Sequence, residues 1–294
     1  MIRPIFAGAP PLTALPAPPN APKPTPTQQE PSLAVPHVSV PDIRWIDWKA
    51  LRTAGFEAVV FDKDNTLTAP FAVGGEDEDE DEDEGAGTSR RRRTSSSASN
   101  GAHPRVRASL DEARRVFGAD RLALFSNSAG LAQYDREGHE AEAVERALGV
   151  RVLRHRLKKP AGGRADLEAA LAGLRGGGGE GGGKGAAAAP SLDARRAVFV
   201  GDRYLTDVAY GNRHGMLTVR VAPLVTGRDP STGKRAEPPA VLLARALEDA
   251  LAARWRRAGV RAPAHTLVEG GGGGVARFVR RPRDEPPDGG EQAE

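Results

Sequence analysis

The chain has no cysteine, which removes disulfides and thiolate metal sites together and leaves oxygen donors to hold any bound metal. It has no apolar run approaching the ~20 residues that cross a bilayer, so a membrane-spanning architecture is not expected. Aromatic residues make up 5% of the sequence, and they do not interleave with its basic runs. No nucleic-acid partner is therefore expected. The first 29 residues lack any acidic side chain, carry Arg3 and Lys23 as their basic residues, and are rich in Pro and Ala. Acid depletion fits an organelle transit peptide, although Arg and Ser are scarce for one; a Pro-rich disordered tail fits as well.

The 35 glycines and 24 prolines of this 294-residue chain are concentrated in stretches that cannot build a core. One domain of roughly 180 core residues is expected, bounded by 41–262, with 1–40 and 263–294 as tails. The net charge of +3 averages opposed blocks, "EDEDEDEDE" at 76–84 and "RRRR" at 90–93, and says little about partners. Residues 74–103 hold almost no apolar side chains, and the glycine tract opening the 176–189 segment holds none; both read as disordered inserts. "PDIRWIDWKALRTAG" (41–55) is short and amphipathic, an edge packed on the domain or a pair of tryptophans for a lipid interface.

Between these segments the pattern alternates strand and helix. Apolar runs at 57–61, in "RLALFSNSAG", at 150–155, at 197–201 and at 217–221 read as strands. Helical spacing recurs at 105–117, 137–149, about 164–174, in "YLTDVAYGNRHG", and at 240–259, where Leu243, Leu247, Leu251 and Trp255 form an apolar stripe on the closing helix. The expected fold is α/β, a five-stranded parallel Rossmann-like sheet flanked by helices and without a folded cap.

In such a sheet the C-terminal strand ends share one edge. Four of them carry polar groups: Asp62 and Asp64, Ser126 and Asn127, Lys158 and Lys159, and Asp202 with Asp207. An Asx-turn explains one such end and explains the set poorly. A carboxylate is a nucleophile without prior deprotonation, so Asp62 suits attack on phosphorus, and Asp64 suits protonation of the leaving alkoxide and activation of water. Carboxylates repel a phosphate, so Asp62, Asp202 and Asp207 are candidate ligands of a hard cation, Mg²⁺ by preference. Lys159 would neutralise nucleophile and phosphoryl oxygens, and Ser126 would grip the phosphate.

"FDKDNTLTAP", "FSNSAG", "RHRLKKPAG" and "GDRYLTDVAYGN" resemble the haloacid-dehalogenase (HAD) superfamily and, more narrowly, the mitochondrial and plastid phosphatidylglycerophosphatases. That resemblance implies a Mg²⁺-dependent enzyme making phosphatidylglycerol, the precursor of cardiolipin, on an organelle membrane it touches peripherally, on the matrix side of the inner mitochondrial membrane or in the plastid. By position it implies Asp62 as nucleophile and Asp64 as acid/base. Thr66, Ser126, Asn127 and Lys159 would sit at the phosphate. Asp62, Asp202, Asp207 and the Asp64 carbonyl would hold the metal. The 74–103 insert stands where relatives carry a cap, so an open site for a lipid-borne phosphate is expected. Two alternatives remain: a HAD phosphatase of a soluble metabolite, nucleotide or polynucleotide 3′-phosphate, and a Mg²⁺-binding module without turnover, against which the presence of Asp64 argues.

Overall fold

Strands without a polar side chain require cover on both faces, and that requirement sets the architecture. In the computed structural model, which describes residues 30–70, 102–161, 167, 168, 171, 192–227, 237–269 and 273–282, β2 (Ala58–Phe61) and β5 (Ala197–Gly201) are buried at every position. With β1 (Val38–Val40), β3 (Leu122–Leu124), β4 (Arg151–Val152) and β6 (Leu217–Val221) they form a parallel sheet in the order β1-β6-β5-β2-β3-β4. The chain runs outward from β2 to β3 and β4, then returns to the other side of β2 to lay down β5 and β6. The strand order therefore reverses around β2 and β5, the place where open α/β sheets form a crevice for ligands.

One sheet face, with Val59, Phe61, Leu124, Val198, Val200 and Val219, packs on Val106, Leu110 and Ala113 of α2 (Pro104–Phe117). Pro104 takes the first position of that helix, where its missing N–H costs nothing. The other face, with Val60, Phe125 and Phe199, packs on Tyr210 of α4 (Ala209–Arg213). Helix α1 (Trp48–Thr53) starts at Asp47, whose carboxylate accepts from Ala50 N. Trp48 is buried and donates its indole N–H to Ser109 Oγ at 3.0 Å, so this tryptophan is a domain anchor and takes no part in a lipid interface. Helix α3 (His139–Leu148) closes at Gly149 with φ 61°, and α5 (Pro239–Arg257) is the closing helix.

The sheet has six strands, one more than expected, and the packed domain extends past 41–262 at both ends. Strand β1 lies inside the stretch expected to be tail; its three residues sit between Pro36 and Pro41, too short for an alternation to register. His37 fastens it, bonding Thr218 Oγ1 at 2.9 Å and the Pro263 carbonyl at 2.9 Å. At the other end, α6 (Thr266–Glu269) and a 3₁₀ turn at Gly274–Phe278 bury Phe278 against Phe56. Asp47 N donates to Phe278 O at 2.9 Å, and Arg280 reaches Glu112 of α2 at 2.8 Å. The expected insert at 74–103 falls, but for Ala102 and His103, outside the described residues; the 176–189 segment lies wholly outside them, and the helix at about 164–174 is described at three positions.

Candidate active site

β2 delivers Asp62 directly to the sheet edge: its amide still pairs with Val200 O at 2.8 Å, one residue past the strand. The next residues form a tight loop. Leu67 N and Thr68 N both donate to Lys63 O, and Asn65 takes the left-handed conformation at φ 61°. Asn is among the few residues with a Cβ that adopt that region readily. Its side chain also accepts from Val225 N at 2.9 Å, tying the segment after β6 to the Asp62 loop. Lys63 is buried and bonds Asp64 at 2.8 Å, which leaves Asp64 about one-third exposed at the mouth.

Asp207 arrives from the other side on a π-helical turn (Tyr204–Val208). Gly201 makes that approach possible: a Cβ there would stand 2.5 Å from the Asp207 side chain. Lys159 Nζ lies 2.6 Å from Asp62 Oδ1 and 2.6 Å from Asp207 Oδ1, with the rings of Phe125 and Phe199 within 5.6 Å. A fully buried ammonium is costly unless paired, and here two carboxylates pair it. They raise its pKa above the ordinary lysine value against the opposing effect of burial, keeping it charged.

Carboxylate oxygens of Asp62, Asp202 and Asp207 all lie within 4.8 Å of one another. Burial, reinforced by Asp207 and Asp64 and opposed by Lys159, pushes Asp62 up to about 7. Asp202 is likewise raised, by burial first and then by Asp207 and Asp62. Three acids pressed together out of water, each offering hard oxygen donors, fit a divalent cation such as Mg²⁺ in size of gap and in chemistry.

The remaining predicted residues fall around this cluster. Ser126 Oγ accepts from Ser128 N at 3.2 Å, and Asn127 Oδ1 accepts from Lys159 N at 2.8 Å, so Asn127 fixes the segment that carries the lysine. Thr66 Oγ1 is buried without a hydrogen-bond partner. Lys158 is exposed and bonds Tyr134 Oη at 2.6 Å, away from the carboxylates.

Three neighbours of the site escape sequence reading. Arg245 of α5 places Nη1 2.5 Å from Asp202 Oδ2 and is itself gripped by Glu237 at 2.7 Å. Glu248 accepts from Tyr204 N and Arg203 Nε, both at 3.0 Å, and holds the start of the Asp207 turn. The available signal was that Arg245 and Glu248 stand three residues apart on the helix face opposite the leucines. His155 Nε2 donates to the Ser126 carbonyl at 2.8 Å and so couples the loops after β3 and β4.

A parallel sheet with a carboxylate cluster and a buried lysine at its switch point is the arrangement of a HAD-like hydrolase, and a HAD-hydrolase-like family model matches residues 167–250. A model described as mitochondrial PGP phosphatase matches residues 25–75 and 94–172. Chloroplastic phosphatidylglycerophosphate phosphatase 1 of Chlamydomonas reinhardtii is 45% identical over 237 residues, covering 81% of this chain and 68% of that protein. The chloroplastic/mitochondrial phosphatidylglycerophosphate phosphatase 1 of Arabidopsis thaliana is 38% identical over 251 residues, covering 85% of this chain and 55% of that protein. The chain belongs to the phosphatidylglycerophosphate phosphatase family. No solved structure matches it.

Proposed function

We infer that this protein is an organellar phosphatidylglycerophosphate phosphatase, which releases inorganic phosphate and leaves phosphatidylglycerol in the membrane it touches peripherally. The observation that carries the reading is the Asp62–Lys159–Asp207 bridge beside Asp202 at the sheet switch point. Family membership supplies the substrate. No helix among the described residues is long and apolar enough to cross a membrane.

In this mechanism Asp62 attacks the phosphorus in line with the glycerol oxygen, forming an aspartyl-phosphate as the P–O bond to glycerol breaks. Asp64, partly exposed at the mouth, gives its proton to the departing alkoxide and then takes one from the water that cleaves the acyl phosphate. Lys159 holds Asp62 in place and offsets charge on the phosphoryl oxygens, while Ser126 and the orphaned Thr66 hydroxyl offer bonds to those oxygens. Mg²⁺ held by Asp62, Asp202, Asp207 and the Asp64 carbonyl would supply the positive charge that lets carboxylates and phosphate share the site.

Phosphate release from phosphatidylglycerophosphate in mixed micelles tests the reading. Wild type is expected to turn over with Mg²⁺, and Asp62→Asn to lose at least several orders of magnitude in kcat. Mg²⁺ should also raise the melting temperature of wild type and not of Asp202→Ala, a readout independent of turnover. Substantial turnover by Asp62→Asn would end the assignment.

A further inference from the structure

The loops that follow β3 and β4 form a laced tip at the catalytic edge. His155 N donates to Gly130 O at 2.8 Å and Ala132 N to His155 O at 2.9 Å, while Asp135 is locked by the amides of Gly130, Glu140 and Ala141. This bracing is continuous with the site: the tip rests on Ser126 O through His155, and on Asn127 through the amide of Lys159. Yet its outermost side chains are apolar. Tyr134 is 56% exposed and Leu157 is 51% exposed, although Leu157 stands two residues from the buried Lys159. Two exposed apolar side chains on one braced tip beside the site are what a lipid-facing surface would present.

Cations surround this pair. Arg136, Arg156 and Lys158 are exposed, as is Arg154, which pairs with Glu145 at 3.1 Å; Lys158 lies 4.3 Å from the Tyr134 ring centroid, and a cleft of about 360 Å³ opens between Arg136, Arg154 and Arg156. Of the acids on the same two loops, Asp135 is spent on backbone amides and Glu137 stands beside His139. An exposed tyrosine whose hydroxyl accepts from Lys158, an exposed leucine on the neighbouring loop and a collar of Arg and Lys match the boundary of an anionic bilayer, where apolar tips enter and cations meet phosphates.

We propose that the Tyr134–Leu157 tip is the membrane-docking element of this enzyme, inserting between anionic headgroups so that a lipid phosphate beside Lys158 is delivered to Asp62. This rests on the lipid-phosphatase reading above and adds the place where the bilayer is met. The other exposed leucines, Leu243 and Leu247, lie on the face of α5 turned away from Arg245 and Glu248, the residues by which that helix meets the site.

The test uses the full chain with vesicles of phosphatidylcholine with or without phosphatidylglycerol. Sedimentation with phosphatidylglycerol vesicles is expected to weaken on the order of tenfold in Tyr134→Ser/Leu157→Ser, and the ratio of lipid turnover on vesicles to aryl phosphate turnover in solution to fall with it. Arg156→Gln/Lys158→Gln should weaken binding most at low salt. Leu157→Trp guards against a folding artefact: its emission should shift to the blue with phosphatidylglycerol vesicles and stay unmoved with phosphatidylcholine alone. Unmoved emission with both vesicle types overturns the proposal, as does loss of binding in Leu243→Ser/Leu247→Ser with the tip variant unaffected. Wild-type docking through the tip without hydrolysis of phosphatidylglycerophosphate would instead sustain the docking element and refute the substrate.

Discussion

Helices α2 and α5 both carry apolar side chains at helical spacing and have opposite relations to the core. Helix α2 turns Val106, Leu110, Ala113 and Phe117 inward. Helix α5 turns Glu248 and Ala252 inward and leaves Leu243 and Leu247 at 64% and 57% exposure. The first is held by buried apolar area, the second by ion pairs and hydrogen bonds from Arg245 and Glu248 to the Asp202 loop and the Asp207 turn. A hydrophobic period establishes that a helix forms; which face goes inward depends on what it must meet. Beside a catalytic edge crowded with acids and backbone amides, a charged face finds more partners than a leucine face.

The largest effect should come from the apolar side of this contrast. Leu110→Ala opens a cavity between α2 and the sheet, and a loss of about 2–5 kcal/mol is expected on denaturant unfolding. The metal cluster, which takes no ligand from that helix, should keep its Mg²⁺ affinity in a calorimetric titration. A loss of Mg²⁺ affinity matching the loss of stability would show that both helices support the site.

Polar docking predicts a dependence on pH that apolar docking does not. His37 joins β1 to β6 and to Pro263, and burial, with His265 adding, holds its imidazole down to about 4. In the unfolded chain it takes its proton near the ordinary value of about 6.5, so the unfolded form binds protons more tightly between those limits. Its contribution is whole above that ordinary value and is lost as pH falls through about 4, up to about 3 kcal/mol in all. Unfolding free energies measured across that window should slope downward towards acid, and His37→Gln should flatten the slope; an equally steep slope in the variant would place the effect elsewhere.

The same division explains what was legible in the sequence. The central strands announce themselves because burial on both faces demands unbroken apolar runs, and Asp62, Lys159, Asp202 and Asp207 announce themselves because a parallel sheet gathers their strand ends. Strand β1 and the Phe278 anchor did not, since three residues between prolines and one phenylalanine among arginines carry no period. Arg245 and Glu248 were hidden by the apolar stripe on the opposite face of their helix, because such a stripe marks the leucine side as the one to bury. Their partners on the Asp202 loop and the Asp207 turn lie more than 40 residues away in sequence, and no local pattern encodes such a pairing.

Glu248 offers the sharper test of polar docking. Glu248→Ala leaves the amide of Tyr204 and the guanidinium of Arg203 without their carboxylate, which should cost about 1–3 kcal/mol. Because that turn carries Asp207, Mg²⁺ affinity should fall in the same variant, whereas Leu110→Ala spares it. Glu248→Gln, which retains an acceptor for the amide, should recover part of both losses. Equal damage from Ala and Gln would assign the effect to charge on Arg203 and not to the held turn.

The smallest effect is expected where a pattern-based reading places a large one. Leu243 and Leu247 stand at helical spacing with Leu251, as core leucines do, yet each exposes more than half its surface. A side chain already in water has little burial to lose, so Leu247→Ser should change the unfolding free energy by no more than about 0.5 kcal/mol. The serine's slightly lower helix propensity accounts for part of even that. Denaturant melts of Leu247→Ser and Leu110→Ala under identical conditions make the comparison direct, because both remove a helical leucine and differ in what surrounds it. A loss above about 1 kcal/mol in Leu247→Ser, present at high protein concentration and absent on dilution, would show the stripe covered by a second copy of the chain, and α5 would then be amphipathic towards a partner on one side and towards the active site on the other.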